Sequence, residues 1–350
     1  MSAFRSAVKN KKSVIIRLSI ALITTFFFVY FIATNFDKED FKTLISNINI
    51  YYLLIAFGIY FICYIIRSFR ILILLKIKFN EFYNMLFIIS RSYFLNKILP
   101  LKIGELALIY FLKNEQNISY PKAFGAFLYL RVLDLLVVPL FFVFAYIINL
   151  ILFFNTENMF LLFIFVFVLA LLVIIFIYMG KILFLIKRFL LYLPKKIKFF
   201  NRNLYNKFTE KYENFTDETN KFLKLKTNFY MIGLTILIRF SILLVMYIIV
   251  LGFGVQLSFY DFIIGSTFAA LAETIPLSGI GSFGLFEAGW TLGFVFMNYE
   301  LKAAFISGFG VNMIIFIFTI IMLIISFFFS KTFINFIKKG NTVKKAVETD

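Results

Sequence analysis

Charged side chains lie inside several otherwise apolar stretches of this 350-residue chain. An ionised group in membrane hydrocarbon costs roughly 3 kcal/mol even on the mildest scale, so such residues normally face a partner or water. We therefore take these charged residues as candidate contacts for a polar substrate. They are Arg91, Lys97, Lys102, Glu105, Arg131, Asp134, Arg239, Glu273 and Glu287.

The basic residues of this set favour a phosphate group as ligand. A helix that stops inside a membrane presents unpaired N–H groups and the positive end of its dipole, and Arg91, Lys97 and Lys102 would add positive charge there. Arg131 and Asp134 are three residues apart on one helix face, which fits a structural ion pair as well as a functional one. Because the chain has no histidine, the groups left to carry a proton are Glu105, Glu273, Glu287 and Asp134.

Two apolar regions, 82–113 and 261–298, are each interrupted in the middle. The first is broken at 99–105 by Pro100, Gly104 and charge, and the second at 275–284 by a proline and three glycines. Proline removes a backbone donor, and freed backbone groups survive at membrane depth only inside protein or beside a cavity. Each region therefore predicts a helical hairpin that re-enters the membrane.

The second break is rich in small residues. The run from Gly279 to Gly284 fits the pattern G-x-G-x-x-G, but a dinucleotide site also needs a preceding strand and a βαβ unit, and neither is predicted here. What remains is that small residues let the backbone approach a headgroup closely. The residues predicted to do so are Ser278, Gly279 and Gly281.

The composition is that of an integral membrane protein, with 62% hydrophobic and 15% charged residues. The absence of histidine excludes the common metal sites and the serine or cysteine catalytic pairs, and the single cysteine, Cys63, is expected to pack. The net charge of +18 is spread over loops, which favours anionic lipid over nucleic acid as partner. Apolar runs predict about six spans, at 18–34, 51–66, 122–154, 159–178, 229–252 and 303–330.

Lysine and arginine beside these spans assign the sides of the membrane. Both termini, including the tail 331–350, are predicted to be cytoplasmic, as is the basic connector 180–228, whose first half reads as an interfacial amphipathic helix reaching Pro194. The hairpin at 82–113 then enters from the cytoplasm and the hairpin at 261–298 from outside. Residues 1–154 and 159–330 thus form a predicted inverted repeat of span, span, hairpin and span, as in transporters that bind substrate near the midplane.

With these motifs the chain resembles the flippase-like transmembrane domain of lysylphosphatidylglycerol synthases and related stand-alone bacterial and archaeal membrane proteins. The similarity covers nearly the whole chain. It rests on Pro100, Lys102, Gly104 and Glu105 for the family's P-x-R-x-G-E, on Arg131 and Asp134 for its E-R-x-x-D, and on Pro276 through Glu287 for its proline, glycine-rich, glutamate signature. The chain departs from the family at Lys102 for arginine, Leu130 for glutamate and Ser282 within the usual double glycine.

The resemblance implies an all-α protein of the inner membrane that translocates an anionic phospholipid or a polyprenyl-linked lipid between leaflets. It implies no enzymatic activity, because the soluble aminoacyl-transfer domain is not expected after the last span. No cofactor, metal or nucleic acid is expected, and whether the chain forms a homo-oligomer is left open. Two alternatives are a polyprenyl-phosphate-dependent glycosyltransferase, with Asp37 and Glu39 as its acidic pair, and a non-transporting membrane scaffold.

Overall fold

The computed structural model describes residues 34, 39, 42, 46, 48–99, 102–153, 159–196, 202–223, 225–275, 283–331 and 333. This part of the chain contains helices and no strand, which confirms the predicted all-α membrane fold. Nearly all of the first predicted span, 18–34, lies outside the described residues. The helices are α1 Ile50–Leu75, α2 Phe82–Ile98, α3 Ile103–Gln116, α4 Tyr120–Phe153, α5 Met159–Ile177, α6 Met179–Lys196, α7 Arg202–Phe222, α8 Leu225–Gly252, α9 Phe259–Ala272, α10 Leu285–Phe296 and α11 Leu301–Phe329.

Five of these helices, α1, α4, α5, α8 and α11, are long and apolar enough to cross a membrane. The shortest, α5, has 19 residues and is therefore about 28 Å long, close to the thickness of the hydrocarbon core. The largest difference from the predicted spans is in α1, which continues past residue 66 to Leu75. Arg67 and Arg70 do not end the helix, and Arg70 is buried within it against Asp134.

Two pairs of shorter helices coincide with the interrupted regions. The first helical pair is α2 and α3, separated by residues 99–102, and the second helical pair is α9 and α10, separated by residues 273–284. With 12 residues, α10 is about 18 Å long, too short to cross a hydrocarbon core of about 30 Å. The breaks are therefore present where proline, glycine and charge predicted them, and re-entry of the two pairs from opposite faces stays a prediction.

The chain divides into two compact units. The first unit combines the described residues up to Tyr64 with Tyr83–Ala107 and the described residues from Ser241 onwards, and the second combines Ile65–Phe82 with Leu108–Phe240. Both breaks belong to the first unit. These units follow spatial contacts rather than chain order, so the inverted repeat of 1–154 and 159–330 stays a prediction about topology.

In the first unit, glycines bring the second helical pair into backbone contact. A Cβ on Gly293 would collide with the carbonyl oxygen of Gly265, and one on Gly289 would lie 2.6 Å from the carbonyl oxygen of Phe268. Trp290, fully buried on α10, packs against Gly308 of α11 and donates its indole N–H to Ser307 Oγ at 3.2 Å. Small residues at a helix interface are the usual means of close packing in membranes, where apolar side chains gain little by leaving lipid.

In the second unit, α4 packs against α5 and against α7 of the basic connector. The rings of Phe142 and Phe165 stack with centroids 3.7 Å apart, and a Cβ on Gly125 would lie 2.7 Å from Thr219 Oγ1 of α7. The described part of the connector is mainly helical, in α6, α7 and the start of α8, and α6 continues two residues beyond Pro194. Its Leu183 is buried, whereas Ile186 is exposed.

Candidate functional site

The first break is built on a close backbone approach between α2 and α3. A Cβ on Gly104 would collide with the carbonyl oxygen of Ser92 and lie 2.5 Å from the backbone nitrogen of Asn96. Ser92 Oγ donates to the Gly104 carbonyl at 2.7 Å, and Asn96 Oδ1 accepts the Glu105 N–H at 2.9 Å. The asparagine therefore satisfies one of the N–H groups that the first turn of α3 leaves without an intrahelical partner.

The two charged residues of the 100–105 motif, Lys102 and Glu105, lie at the start of α3. Lys102 has a φ of 53°, the left-handed region that favours glycine, and its Nζ lies 4.0 Å from Glu105 Oε1. Both side chains are about one-fifth exposed. The left-handed residue turns the chain directly into α3, so the lysine and the glutamate are held together at the helix N-terminus.

The second break ends in a glycine turn that fixes a buried glutamate. Gly284 has a φ of 97°, and its N–H donates to Glu287 Oε2 at 2.7 Å. This is the carboxylate half of a capping box, in which a side chain in the first helical turn reaches back to the backbone before it. Glu287 is fully buried, so its second oxygen also needs a donor.

That donor is Asn312, which connects the second helical pair to the first. Asn312 Nδ2 donates to Glu287 Oε1 at 2.7 Å, and Asn312 Oδ1 accepts from Lys97 Nζ at 2.7 Å. Lys97 Nζ lies 3.7 Å from Glu273 Oε1 and 5.9 Å from the centroid of the Phe286 ring. Lys97 lies in the last turn of α2, and Glu273 directly follows α9. The helix ends at the two breaks therefore meet at this ammonium group.

We call these residues the break cluster. Its members are Lys97, Lys102, Glu105, Glu273, Glu287 and Asn312.

The side chains of the break cluster are polar and partly buried, and its carboxylates differ in exposure and in the number of hydrogen bonds that they accept. Glu287 accepts two hydrogen bonds of 2.7 Å, whereas the side chain of Glu273 is 36% exposed and reaches Lys97 only at ion-pair distance. Lys97 has one short acceptor, Asn312, among the described residues, although an ammonium group offers three N–H donors. The arrangement can therefore exchange a carboxylate for another anionic ligand at Lys97 without dismantling the buried Asn312–Glu287 bond.

The structure brings five of the sequence-predicted residues to the two breaks and leaves others elsewhere. Arg91 lies earlier on α2, with its guanidinium 4.9 Å from the centroid of the Phe87 ring. Arg131, Asp134 and Arg239 belong to the second unit. The predicted small residues of the second break, Ser278, Gly279 and Gly281, lie outside the described residues.

Three important polar residues were missed by sequence reasoning. Asn312 and Asn96 are neutral, so a search for charge in apolar helices passes over them. Arg70 lies beyond the predicted span 51–66, yet it donates to both oxygens of Asp134, at 2.5 and 3.3 Å, and to Thr235 Oγ1 at 3.0 Å. The signal available for Arg70 was its i, i+3 spacing from Arg67 inside an apolar run.

The acidic pair of the glycosyltransferase alternative is only partly described. Glu39 is an exposed helical residue, and Asp37 lies outside the described residues. Among the residues that the structure describes, no three histidine, cysteine, aspartate or glutamate side chains are grouped to hold a metal ion. Because Asp37 lies outside the described residues, that alternative stays a prediction.

The comparison with known families covers most of the chain. A family model described as the lysylphosphatidylglycerol synthase TM region matches residues 14–322, a range that includes both helical pairs and the whole break cluster. No curated protein and no solved structure matches the chain.

Proposed function

The chain belongs to the lysylphosphatidylglycerol synthase transmembrane family, and from that premise we propose that it moves an anionic lipid or a lipid-linked envelope precursor between membrane leaflets. Membership supports a lipid-related role for a multi-pass membrane protein. The proposal adds that the headgroup binds at the break cluster while the acyl or prenyl tails remain in lipid. It assigns no covalent step to the chain.

The observation that carries this proposal is the meeting of both breaks at Lys97. The headgroup phosphate would bind the Lys97 ammonium and be assisted by Lys102 and by the positive N-terminal ends of α3 and α10. Glu105, which is partly exposed, would contact hydroxyl or amino groups of the headgroup. Glu273, which is also partly exposed, would leave Lys97 as the phosphate binds. Glu287 and Asn312 are fully buried and would hold the lysine rather than touch substrate.

The same cluster suggests how a headgroup would cross the bilayer. Moving a charged headgroup through hydrocarbon is costly, and polar side chains on broken helices replace part of its hydration. The Lys97–Glu273 contact of 3.7 Å joins the two helical pairs at ion-pair distance, and the Glu273 side chain is 36% exposed, so the contact can open as the headgroup enters. We further propose that the membrane is the inner membrane and that both termini are cytoplasmic.

Reconstitution of the purified chain in liposomes tests this proposal. Vesicles carry a fluorescent anionic phospholipid in both leaflets, and a membrane-impermeant reductant reports how fast inner-leaflet lipid reaches the outside. We expect Lys97→Gln to slow transfer about tenfold, the loss of one hydrogen bond to a charged group. Lys331→Gln, which removes an exposed lysine, is the matched control and should transfer at the wild-type rate.

Two results would reject the proposal. Wild-type protein that transfers lipid no faster than protein-free vesicles would exclude translocation of that lipid class. A Lys97→Gln variant with wild-type rate at equal protein incorporation would exclude the break cluster as the headgroup site, and wild-type growth of cells carrying it would favour the scaffold alternative.

A further inference from the structure

One side of the connector helix α6 is apolar and stays exposed in the described structure. The apolar residues on this side are spaced by three and four positions, which places them on one face of a helix. Leu185, Ile186 and Phe189 are 60%, 42% and 64% exposed. We call this surface the outer face of α6, and it consists of Ile182, Leu185, Ile186 and Phe189.

Another side of α6 is packed against α7. Leu183 is 6% exposed, and its carbonyl oxygen accepts the Tyr212 hydroxyl at 3.0 Å. The next helix, α7, is in turn held on α4, where the rings of Phe215 and Phe124 lie 5.1 Å apart. The contacts with α7 and α4 therefore bury one side of α6 and leave its outer face open.

Basic residues border the outer face. Lys181 and Arg188 are exposed and seven residues apart, so they lie on the same side of α6, next to the outer face. Over its whole length α6 has five basic residues and no acidic residue, whereas α7 has four of each. The second unit as a whole has 20 basic and eight acidic residues. Carboxylates on neighbouring helices therefore reduce the positive charge of this unit without cancelling it.

The acidic residues of the α6–α7 pair lie in the second half of α7. Positions 210–221 carry four acidic and two basic residues, and the side chains of Glu210, Glu213 and Asp217 are exposed. Glu218 Oε1 pairs with Lys221 Nζ at 2.6 Å. An anionic surface would attract α6 and repel this part of α7. The charge distribution therefore favours an orientation in which α6, and not α7, contacts such a surface.

The start of α6 lies next to the end of a membrane span. The candidate span α5 ends at Ile177, a turn follows at Tyr178, and α6 begins at Met179. Lys181 Nζ lies 5.0 Å from the centroid of the Tyr178 ring. Tyrosine and basic residues are typical of the boundary between membrane and water. The first turns of α6 therefore lie close to the lipid headgroups.

We propose that the outer face of α6 binds the surface of a bilayer that contains anionic phospholipid. Leu185, Ile186 and Phe189 enter the boundary between headgroups and acyl chains, and Lys181 and Arg188 contact the lipid phosphates. Long basic side chains suit this position because their stems cover apolar surface while their charged ends reach the headgroups. This binding concerns the bilayer surface and does not depend on lipid translocation at the break cluster.

The test places a fluorescent label on the outer face of the full-length chain. Leu185→Cys is labelled in a Cys63→Ala background, and the chain is reconstituted at one copy per nanodisc. The discs contain phosphatidylcholine alone or phosphatidylcholine mixed with phosphatidylglycerol. Quenching by acrylamide, which is uncharged and water-soluble, gives the ratio of lipid-inserted to water-exposed label.

We expect this ratio to be higher in the discs that contain phosphatidylglycerol. It should fall when the salt concentration is raised from about 0.1 M to about 1 M, because the Debye length shortens from about 10 Å to about 3 Å. Lys181→Gln and Arg188→Gln should each lower the ratio about fivefold in these discs, the contribution of one basic side chain at an anionic surface. Lys211→Gln, which removes an exposed lysine of α7, is the matched control and should keep the wild-type ratio.

Two results would overturn the proposal. Equal quenching of the label at position 185 in the two kinds of disc would exclude anionic lipid as the partner of the outer face. Protection of the label in liposomes of high protein density, together with full quenching in single-copy discs, would show that a second copy of the chain covers this face instead.

Discussion

The buried amide of Asn312 offers the sharpest test of the break cluster. Asn312→Leu keeps the approximate size of the side chain but removes both the donor to Glu287 and the acceptor for Lys97, each at 2.7 Å. The variant leaves a fully buried carboxylate that still accepts from the Gly284 N–H but has lost the Asn312 donor. Both stability and transport should therefore fall.

The size of the effect follows from the two bonds lost. Hydrogen bonds to charged groups contribute about 1.5–3 kcal/mol each in soluble proteins, which gives about 3–6 kcal/mol for two. Interhelical hydrogen bonds in membrane proteins average about 0.6 kcal/mol and reach about 1.7 kcal/mol, which gives about 1–3 kcal/mol. Because both partners of Asn312 are ionisable and Glu287 is fully buried, we expect a loss of about 2–4 kcal/mol.

The measurement is the free energy of unfolding in mixed micelles, followed by far-ultraviolet circular dichroism during denaturing-detergent titration. Met313→Leu, at the next and partly exposed position of α11, is the control for general effects of substitution. A double-mutant cycle of Asn312→Leu with Glu287→Gln isolates their interaction, since the two residues are in direct contact.

A second substitution tests the two hydrogen bonds of Asn312 separately. Asn312→Asp keeps an acceptor for Lys97 but removes the donor to Glu287 and places two carboxyl groups side by side. It should be at least as destabilising as Asn312→Leu at neutral pH. Substitutions at neutral surface positions usually change the free energy of unfolding by less than about 0.5 kcal/mol. If the free energy of unfolding of Asn312→Leu lies within that range of the wild-type value, the two hydrogen bonds of Asn312 do not hold the break cluster together.

Three further predictions address the fold around the sites. Gly104→Ala should lower the unfolding midpoint because its Cβ would collide with the Ser92 carbonyl, whereas Gly58→Ala, with no atom within 4 Å of the new Cβ, should not lower it; equal midpoints would contradict the close approach of α2 and α3. Asp134→Asn should cost about 3 kcal/mol of unfolding free energy, the lower end for a broken buried ion pair because Asp134 is 36% exposed, and a cost below 0.5 kcal/mol would argue against the pair. Ile186 and Arg188 lie on opposite faces of α6, so a spin label at position 186 should be more accessible to oxygen and one at position 188 more accessible to a water-soluble nickel relaxant. Equal accessibility of the two labels to both relaxants would exclude an interfacial helix.

The breaks were predictable because their causes are local. Proline and glycine interrupt a helix wherever they occur, and charge next to them marks a segment that cannot lie in plain hydrocarbon. The positions of Lys102, Glu105 and Glu287 at helix starts followed from the same residues. Local rules also predicted the amphipathic α6, since its pattern needs no information about distant parts of the chain.

The partners of the charged residues were not predictable because they come from distant segments. Lys97 meets Asn312 across 215 residues of sequence, and Arg70 meets Asp134 across 64. A neutral asparagine in an apolar helix carries no local signal of its role, and two arginines near a helix end resemble the usual cytoplasmic boundary. Only the packing of the helices shows that one of those arginines is buried and paired.

The charge balance of the break cluster determines which of its carboxylates should respond to substrate. Its three glutamates outnumber its two lysines, so an arriving phosphate group adds negative charge and has to displace a carboxylate from Lys97. Glu287 is fully buried and held by two bonds of 2.7 Å, whereas Glu273 is partly exposed and lies 3.7 Å from Lys97. Removing the weaker competitor should help the ligand, so Glu273→Gln should strengthen binding of a short-chain anionic lipid severalfold, and Glu287→Gln should weaken the fold without that gain. Calorimetric titration of both variants with dihexanoyl phosphatidic acid measures this difference, and weaker binding by Glu273→Gln would show that Glu273 is a substrate contact and does not compete for Lys97.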